Sequence, residues 1–95
     1  MQKSNKKIKV NEIVTRSSEQ LGHALNRFRK LEKFTQLKLS QIANIRQGTV
    51  SKVEKGLETT TIGVVFEICN ALDLEVIIRP KSKTVKNKFN PEEIF

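Results

Sequence analysis

The stretch FTQLKLSQIANIRQGTVSKVEKG, residues 34 to 56, predicts two short helices joined by a tight turn. Thr35 is a favourable N-cap for a first helix from Gln36 to Ala43, in which Leu39 and Ala43 lie on the same side. Asn44 tolerates the left-handed backbone conformation better than any residue except glycine. It can therefore end this helix and reverse the chain.

The second helix, predicted from Gln47 to Lys55, separates apolar from polar side chains. At about 100° per residue, Val50 and Val53 fall on one side. The opposite side carries polar or small residues: Gln47, Gly48, Ser51, Lys52 and Lys55. Glutamine can pair with adenine through two hydrogen bonds, serine can donate or accept, and lysine can bind guanine or phosphate. This face suits the DNA major groove, although a helical hairpin with an ordinary solvated face has the same periodicity.

The same stretch resembles the helix-turn-helix of the phage-repressor and XRE family. The resemblance rests on these positions: Thr35, Gln36, Leu39, Gln47, Val50, Ser51, Glu54 and Gly56. A second group resembles the HipB-like antitoxin branch of that family: Thr59, Thr60, Thr61, Ile62, Phe66, Ile68 and Leu72, with the strand-like run that follows them. Together the two groups cover roughly residues 17 to 79. The resemblance implies an all-α domain of four to five helices, with a short C-terminal strand that pairs across a dimer.

The predicted DNA contacts follow from the two helices together with this resemblance. We expect base contacts from five residues: Arg46, Gln47, Gly48, Ser51 and Lys52. In this group Gly48 allows close approach, and Arg46 at the helix entrance can reach base or phosphate. We expect backbone contacts from Gln36, Thr49 and Lys55, since the free N–H groups at a helix N-terminus favour phosphate.

Three residues depart from the family pattern. Ser40 stands where a small apolar residue is usual, and Asn44 stands where glycine is usual. Gly48 lowers the helix propensity of the second helix by up to about 1 kcal/mol relative to alanine. The operator sequence therefore cannot be copied from a relative.

The composition limits the function classes. A chain of 95 residues makes one small domain, and its net charge of +8 with a pI near 9.9 indicates an anionic partner, either nucleic acid or an acidic membrane surface. No signal peptide or membrane-spanning run is present, and the single cysteine agrees with a reducing compartment, so we expect a cytoplasmic protein. No metal-ligand spacing or nucleophile–base pair is evident, so we expect no enzyme activity and no cofactor.

The chain divides into three predicted regions. Residues 1–16 form a basic arm with a short possible strand at Ile8–Val10, which either lies along DNA or is a disordered tail. Residues 17–80 form the helix-turn-helix domain with its dimerising elements. Residues 81–95 form a flexible basic tail, whose Asn90-Pro91 helix start would order only against a partner.

The domain is predicted to begin with a helix capped by Ser17, because Ser17-x-x-Gln20 is a capping-box pattern. Its expected core side carries Leu21, Leu25, Phe28 and Leu31. Its outer side is expected to be solvated and carries Arg27, Arg29, Lys30 and Lys33, although a basic helix lying on a membrane has the same pattern. His23 is expected to be exposed and is given no role.

The end of the domain predicts a dimer interface. Thr60 is the expected N-cap of a helix from Thr61 to about Asp73, which is apolar around much of its circumference. The run from Leu74 to Arg79 alternates like a β-strand and needs a pairing partner, either residues 8–10 or the same segment of a second subunit. The predicted interface consists of Phe66, Cys69, Leu74, Val76, Ile77 and Ile78. Two other interpretations of Cys69 are a buried apolar residue, which is the simplest, and a redox switch.

The sequence therefore predicts a dimeric, sequence-specific repressor that binds an inverted-repeat operator in double-stranded DNA and represses its own operon. The resemblance implies that it is the antitoxin subunit beside a HipA-like kinase toxin, in some relatives with a further small protein. The alternatives are a free-standing phage-type repressor, an antitoxin that mainly binds protein, and a membrane-surface protein.

Overall fold

Residues 12–81 are the part of the chain that the computed structural model describes, and they contain four α-helices and no β-strand. The helices are α1 (Ser18–Leu31), α2 (Gln36–Ala43), α3 (Gln47–Glu54) and α4 (Ile62–Ala71). The predicted all-α fold is confirmed. The Lys-rich arm, the possible strand at residues 8–10 and the helix start at Asn90 lie outside the described residues and stay predictions.

Side-chain caps fix where three of the helices begin. The hydroxyl of Ser17 accepts a hydrogen bond from the Gln20 N–H at 3.0 Å, and the Gln20 side chain in turn accepts one from the Arg16 N–H at 2.7 Å. Thr35 accepts from the Lys38 N–H at 2.9 Å. Both predicted N-caps are confirmed.

The start predicted for α4 was wrong by one residue. Its N-cap is Thr61, whose hydroxyl accepts from the Val64 N–H at 3.4 Å, and not Thr60. Either threonine can cap a helix, and only the three-dimensional path of the loop selects between them. The helix also ends earlier than predicted, at Ala71, because Asp73 adopts a left-handed φ of 62°.

The core lies where the inner faces of all four helices meet. Its buried members are Leu25, Leu39, Val50, Val53, Ile68, Cys69 and Leu72. The predicted inner sides of α2 and α3 are thus confirmed. Leu31, predicted as core, is 38% exposed. It is the last residue of α1, about 13 Å along the helix axis from the close approach to α3 at Gly22.

Two glycines allow α1 and α3 to approach closely. A Cβ atom at Gly22 would lie 2.7 Å from the carbonyl oxygen of Glu54, closer than real Cβ contacts come. Gly56, just after α3, has a φ of +78°, and a Cβ there would lie 2.6 Å from the Cα of Glu19. The backbones therefore pack directly against each other, which fixes the position of α3.

Cys69 was predicted at the dimer interface, but it lies in the core of the single chain. Its side chain is only 4% exposed within the single chain, where it packs in the core beside Leu25 and Leu72. Burial raises the pKa of the Cys69 thiol, which disfavours the reactive thiolate. Cys69 therefore contributes to the core of its own subunit and offers no surface to a second one.

Residues 74–81 follow α4 as a segment without regular backbone pairing inside the described chain. Val76, Ile77 and Ile78 are 50%, 61% and 94% exposed, while Leu74 is half-buried. The guanidinium of Arg79 lies 3.6 Å from the carboxylate of Glu12, which brings this segment beside residues 12–16. The predicted strand stays a prediction, since its pairing partner would come from another subunit or from residues 8–10.

Candidate nucleic-acid interface

The turn between α2 and α3 is formed by a left-handed residue, as predicted. Asn44 has φ 61° and ψ 47°, and its N–H and that of Ile45 donate to carbonyl groups of the last turn of α2. Ser40 is buried, and its hydroxyl donates to the Leu37 carbonyl at 2.7 Å. Both departures from the family pattern are therefore accommodated without an unpaired polar group.

Helix α3 presents the predicted polar face to solvent. Val50 and Val53, at 0% and 4% exposure, anchor its inner side. On the outer side Gln47, Gly48, Lys52 and Lys55 are exposed and Ser51 is half-buried. Thr49 is half-buried at the edge of the inner side. No heavy atom outside α3 lies within 4 Å of a Cβ built at Gly48, so space is open there. The structure thus brings the predicted base-contact residues to one exposed face.

The entrance of α3 lacks a side-chain cap. Arg46 occupies the N-cap position with extended backbone angles, and it makes no capping hydrogen bond. Arg46 is exposed, and the first N–H groups of the helix that follow it have no intrahelical acceptors. A cation and open N–H donors together favour a phosphate oxygen at this end.

A buried carboxylate joins α3 to the two preceding helices. Both oxygens of Glu54 accept from the Arg29 guanidinium, at 2.7 and 3.1 Å, and Oε1 also accepts from the side-chain amides of Asn26 at 2.8 Å and Gln36 at 3.0 Å. Arg29 also donates to the Phe34 carbonyl at 2.7 Å. Four residues from three helices are thereby held together; we call Asn26, Arg29, Gln36 and Glu54 the Glu54 network.

The charge state of Glu54 follows from this network. Burial alone would raise the pKa of its carboxyl, but hydrogen bonds from Arg29, Asn26 and Gln36 and the positive charge of Arg29 lower it. The net result is a pKa below the ordinary value. Glu54 is therefore ionised at neutral pH and can accept all four hydrogen bonds.

The Glu54 network changes what the sequence indicated for Arg29 and Gln36. Arg29, expected on a solvated face, is 8% exposed because its guanidinium must reach Glu54. Gln36, a predicted backbone contact, has its amide nitrogen turned inward to the same carboxylate. Sequence reasoning found Glu54 only as a family motif position and missed its partners, since helical periodicity does not reveal a pair separated by 25 residues.

Comparisons with known proteins agree with this geometry. Residues 25–77 match the family profile described as helix-turn-helix. This chain belongs to the helix-turn-helix family, a family of DNA-binding transcriptional regulators. Among curated proteins it is 30% identical over 64 residues to an uncharacterised HTH-type transcriptional regulator, y4dL, of Sinorhizobium fredii (strain NBRC 101917 / NGR234). The match covers 67% of this chain, and the chain spans about a third of that relative's length.

The fold is similar to solved structures of HipB complexes. A HipB complex with a 20mer named O4 is 28% identical, with a TM-score of 0.69 over 76% of this chain and 100% of that one. A HipB variant in complex with an O2 20mer is 27% identical, with a TM-score of 0.70 over 77% and 100%. HipB in a HipA-HipB-O2-O3 complex is 27% identical, with a TM-score of 0.65 over 78% and 100%. The XRE-type, HipB-like resemblance is therefore confirmed.

Within residues 12–81, no helix is both long enough and apolar enough to cross a membrane.

Proposed function

We propose that this protein is a sequence-specific repressor that binds an inverted-repeat operator as a homodimer and represses its own operon. The observation that carries the proposal is the outer face of α3, where Gln47, Ser51 and Lys52 surround the open position at Gly48. An amide, a hydroxyl and an ammonium group form a surface suited to base edges in the major groove. Gln36, Thr49 and Lys55 flank this face as the proposed backbone contacts.

A homodimer places two such faces on one DNA duplex. Two α3 helices related by a two-fold axis would enter successive major grooves about 34 Å apart. The exposed apolar side chains of α4 and the following segment, with Phe66 at 44% and Ile78 at 94% exposure, supply surface that a second subunit would cover. An operator with two inverted half-sites follows from this symmetry.

The first test is binding to the upstream DNA of its own gene against a scrambled duplex of equal length, at two salt concentrations. An operator-specific repressor should prefer its own DNA by about a thousandfold or more, and the preference should persist at the higher salt. Equal binding to both duplexes that disappears with salt would contradict the proposal.

Two substitutions separate base reading from phosphate contact. Gln47→Ala should cost about 1–3 kcal/mol on the operator and much less on scrambled DNA. Lys55→Ala, its matched control, should weaken binding to both duplexes alike and lower the slope of log K against log salt by about one. Equal losses on both duplexes for Gln47→Ala would remove Gln47 from the base contacts.

A second candidate role is that of an antitoxin which binds a HipA-type kinase. The similarity to HipB within a HipA-HipB-O2-O3 complex favours it. Co-expression with a neighbouring kinase gene, followed by co-purification and a growth assay, tests this role. Growth arrest that this chain relieves would support an antitoxin. If the chain neither binds nor neutralises the kinase, the free-standing repressor is the hypothesis that remains.

A further inference from the structure

One surface stripe on α1 has no part in the proposed base reading. It consists of His23, Asn26, Arg27 and Lys30, which fall within about 100° of one another around the helix. His23, Arg27 and Lys30 are exposed, and Asn26 is half-buried. The four residues line a shallow groove whose other wall includes Ile13 and Val14. We call them the α1 stripe.

The α1 stripe adjoins the proposed DNA-binding surface through Asn26. The amide of Asn26 and the amide of Gln36 donate to the same oxygen of Glu54, at 2.8 and 3.0 Å. The two amides are therefore within about 6 Å of each other, which follows from these two distances. Gln36 is the first residue of α2, where a phosphate is expected. Lys30 lies one helical turn after Asn26 on the same side of α1, so it is the stripe cation that follows the Asn26 position along the helix.

The charges around the stripe favour an anionic partner. Arg27 and Lys30 lie about one helical turn apart and make no salt bridge within residues 12–81, where the two ion pairs join Arg29 to Glu54 and Arg79 to Glu12. Glu19, one turn before His23, ends the stripe on its N-terminal side. A row of exposed cations that continues from a phosphate site is suited to a run of phosphates.

We propose that the α1 stripe is a second DNA-backbone contact, which continues from the phosphate at Gln36 onto the DNA beside the half-site. This inference rests on the proposed function, because the position of the phosphate at Gln36 is part of it. Contacts of this kind carry no sequence information. They add affinity and salt dependence to operator and random DNA alike.

The test compares Arg27→Ala/Lys30→Ala with the matched control Arg79→Ala/Lys81→Ala, which removes two exposed cations from the C-terminal segment. Each phosphate contact contributes about 0.9 to the slope of log K against log salt. The stripe variant should lower this slope by about two on operator and scrambled duplexes equally, and the control should leave it unchanged. An unchanged slope in the stripe variant, as for a surface that binds an acidic protein, would overturn the proposal.

A second measurement leaves the protein unaltered. Wild-type protein is titrated with duplexes in which the phosphates just outside each half-site are replaced by neutral methylphosphonates. The slope should fall with these duplexes, and an unchanged slope would overturn the inference. Wild-type preference for operator over scrambled DNA is measured alongside, so that failure of operator recognition is distinguished from failure of the α1 stripe.

Discussion

Glu54 is the residue that links α3, which carries the proposed DNA-binding face, to α1 and α2. Its carboxylate accepts hydrogen bonds from α1 through Asn26 and Arg29 and from α2 through Gln36, while Glu54 itself ends α3. A buried charge without its partner costs several kcal/mol, so neither Arg29 nor Glu54 tolerates loss of the other. The orientation of α3 relative to Gln36 therefore depends on one ion pair.

Glu54→Gln should lower the free energy of unfolding by about 3 kcal/mol at pH 7, because Arg29 loses its buried counter-charge. Since the pKa of Glu54 is lowered in the folded state, its contribution is fully present above the unfolded carboxyl pKa of about 4.3 and is lost as pH falls through the lower folded pKa. Urea unfolding at several pH values measures this. The difference between wild type and variant should narrow in acid.

Glu58→Gln is the control for this experiment, since Glu58 is exposed. It should change stability little at any pH. A wild-type advantage over Glu54→Gln that stayed constant down to pH 2 would show that the carboxylate charge contributes nothing.

Gly22→Ala should destabilise the domain by about 1–3 kcal/mol, because its Cβ would press on the carbonyl groups at the end of α3. Gly48→Ala is the matched control in an open helical position, and it should stabilise by about 0.5–1 kcal/mol. Thermal unfolding of both variants measures the pair. Shifts of the same sign would contradict the close approach of α1 and α3.

Helix α3 combines a firmly packed inner side with a poorly capped start. Val50 and Val53 hold the helix in the core, but Arg46 at the N-cap makes no capping bond. Serine, threonine, asparagine or aspartate would stabilise this position better. The arginine therefore costs stability, which its proposed DNA contact would offset in function.

Arg46→Asn should raise stability by about 0.5–1 kcal/mol through a new N-cap, and it should weaken operator binding because a cation is lost. Arg46→Ala, the control, removes the same cation without adding a cap. Thermal unfolding and operator titration of both variants provide the measurements. Equal melting temperatures for the two variants would contradict the capping argument.

The elements themselves were largely predictable from local sequence, but their pairing was not. The caps at Ser17 and Thr35, the left-handed Asn44 and the inner side of α3 each depend on residues within one or two helical turns. Gly22 and the Glu54 network depend on residues about 18 to 32 positions apart, which helical periodicity does not relate. The exposed face of α3 was therefore predicted, while the contacts that orient it were not.

Helix α4 and the segment that follows it carry more apolar surface than the single chain buries. Ile62 and Phe66 lie one helical turn apart and are 73% and 44% exposed, and Ile78 is 94% exposed. Exposed apolar side chains that cluster along one element indicate an interface. The interface predicted from sequence named Phe66 and Ile78 but not Ile62, and it included the buried Cys69, because an all-apolar helix does not reveal which of its sides faces its own core.

Phe66→Ser/Ile78→Ser should weaken dimerisation by about tenfold or more and reduce affinity for a two-half-site operator, while the monomer stays folded because both side chains are already exposed. Sedimentation equilibrium and operator titration measure the two effects. Ile42→Ser, at a similarly exposed residue of α2, is the control. A dimer dissociation constant unchanged from wild type would show that Phe66 and Ile78 do not form the dimer interface.

The outward residues of α3 have one consequence for how such proteins diversify. Among residues 12–81, the side chains of Gln47, Ser51 and Lys52 make no hydrogen bond or salt bridge, and a Cβ at Gly48 meets nothing. Changes at these four positions would therefore break no hydrogen bond or ion pair among the described residues, and at Gly48 a side chain would improve helix propensity. If these residues read the operator as proposed, two copies that arise by gene duplication would need only a few substitutions at these positions to bind different DNA sequences.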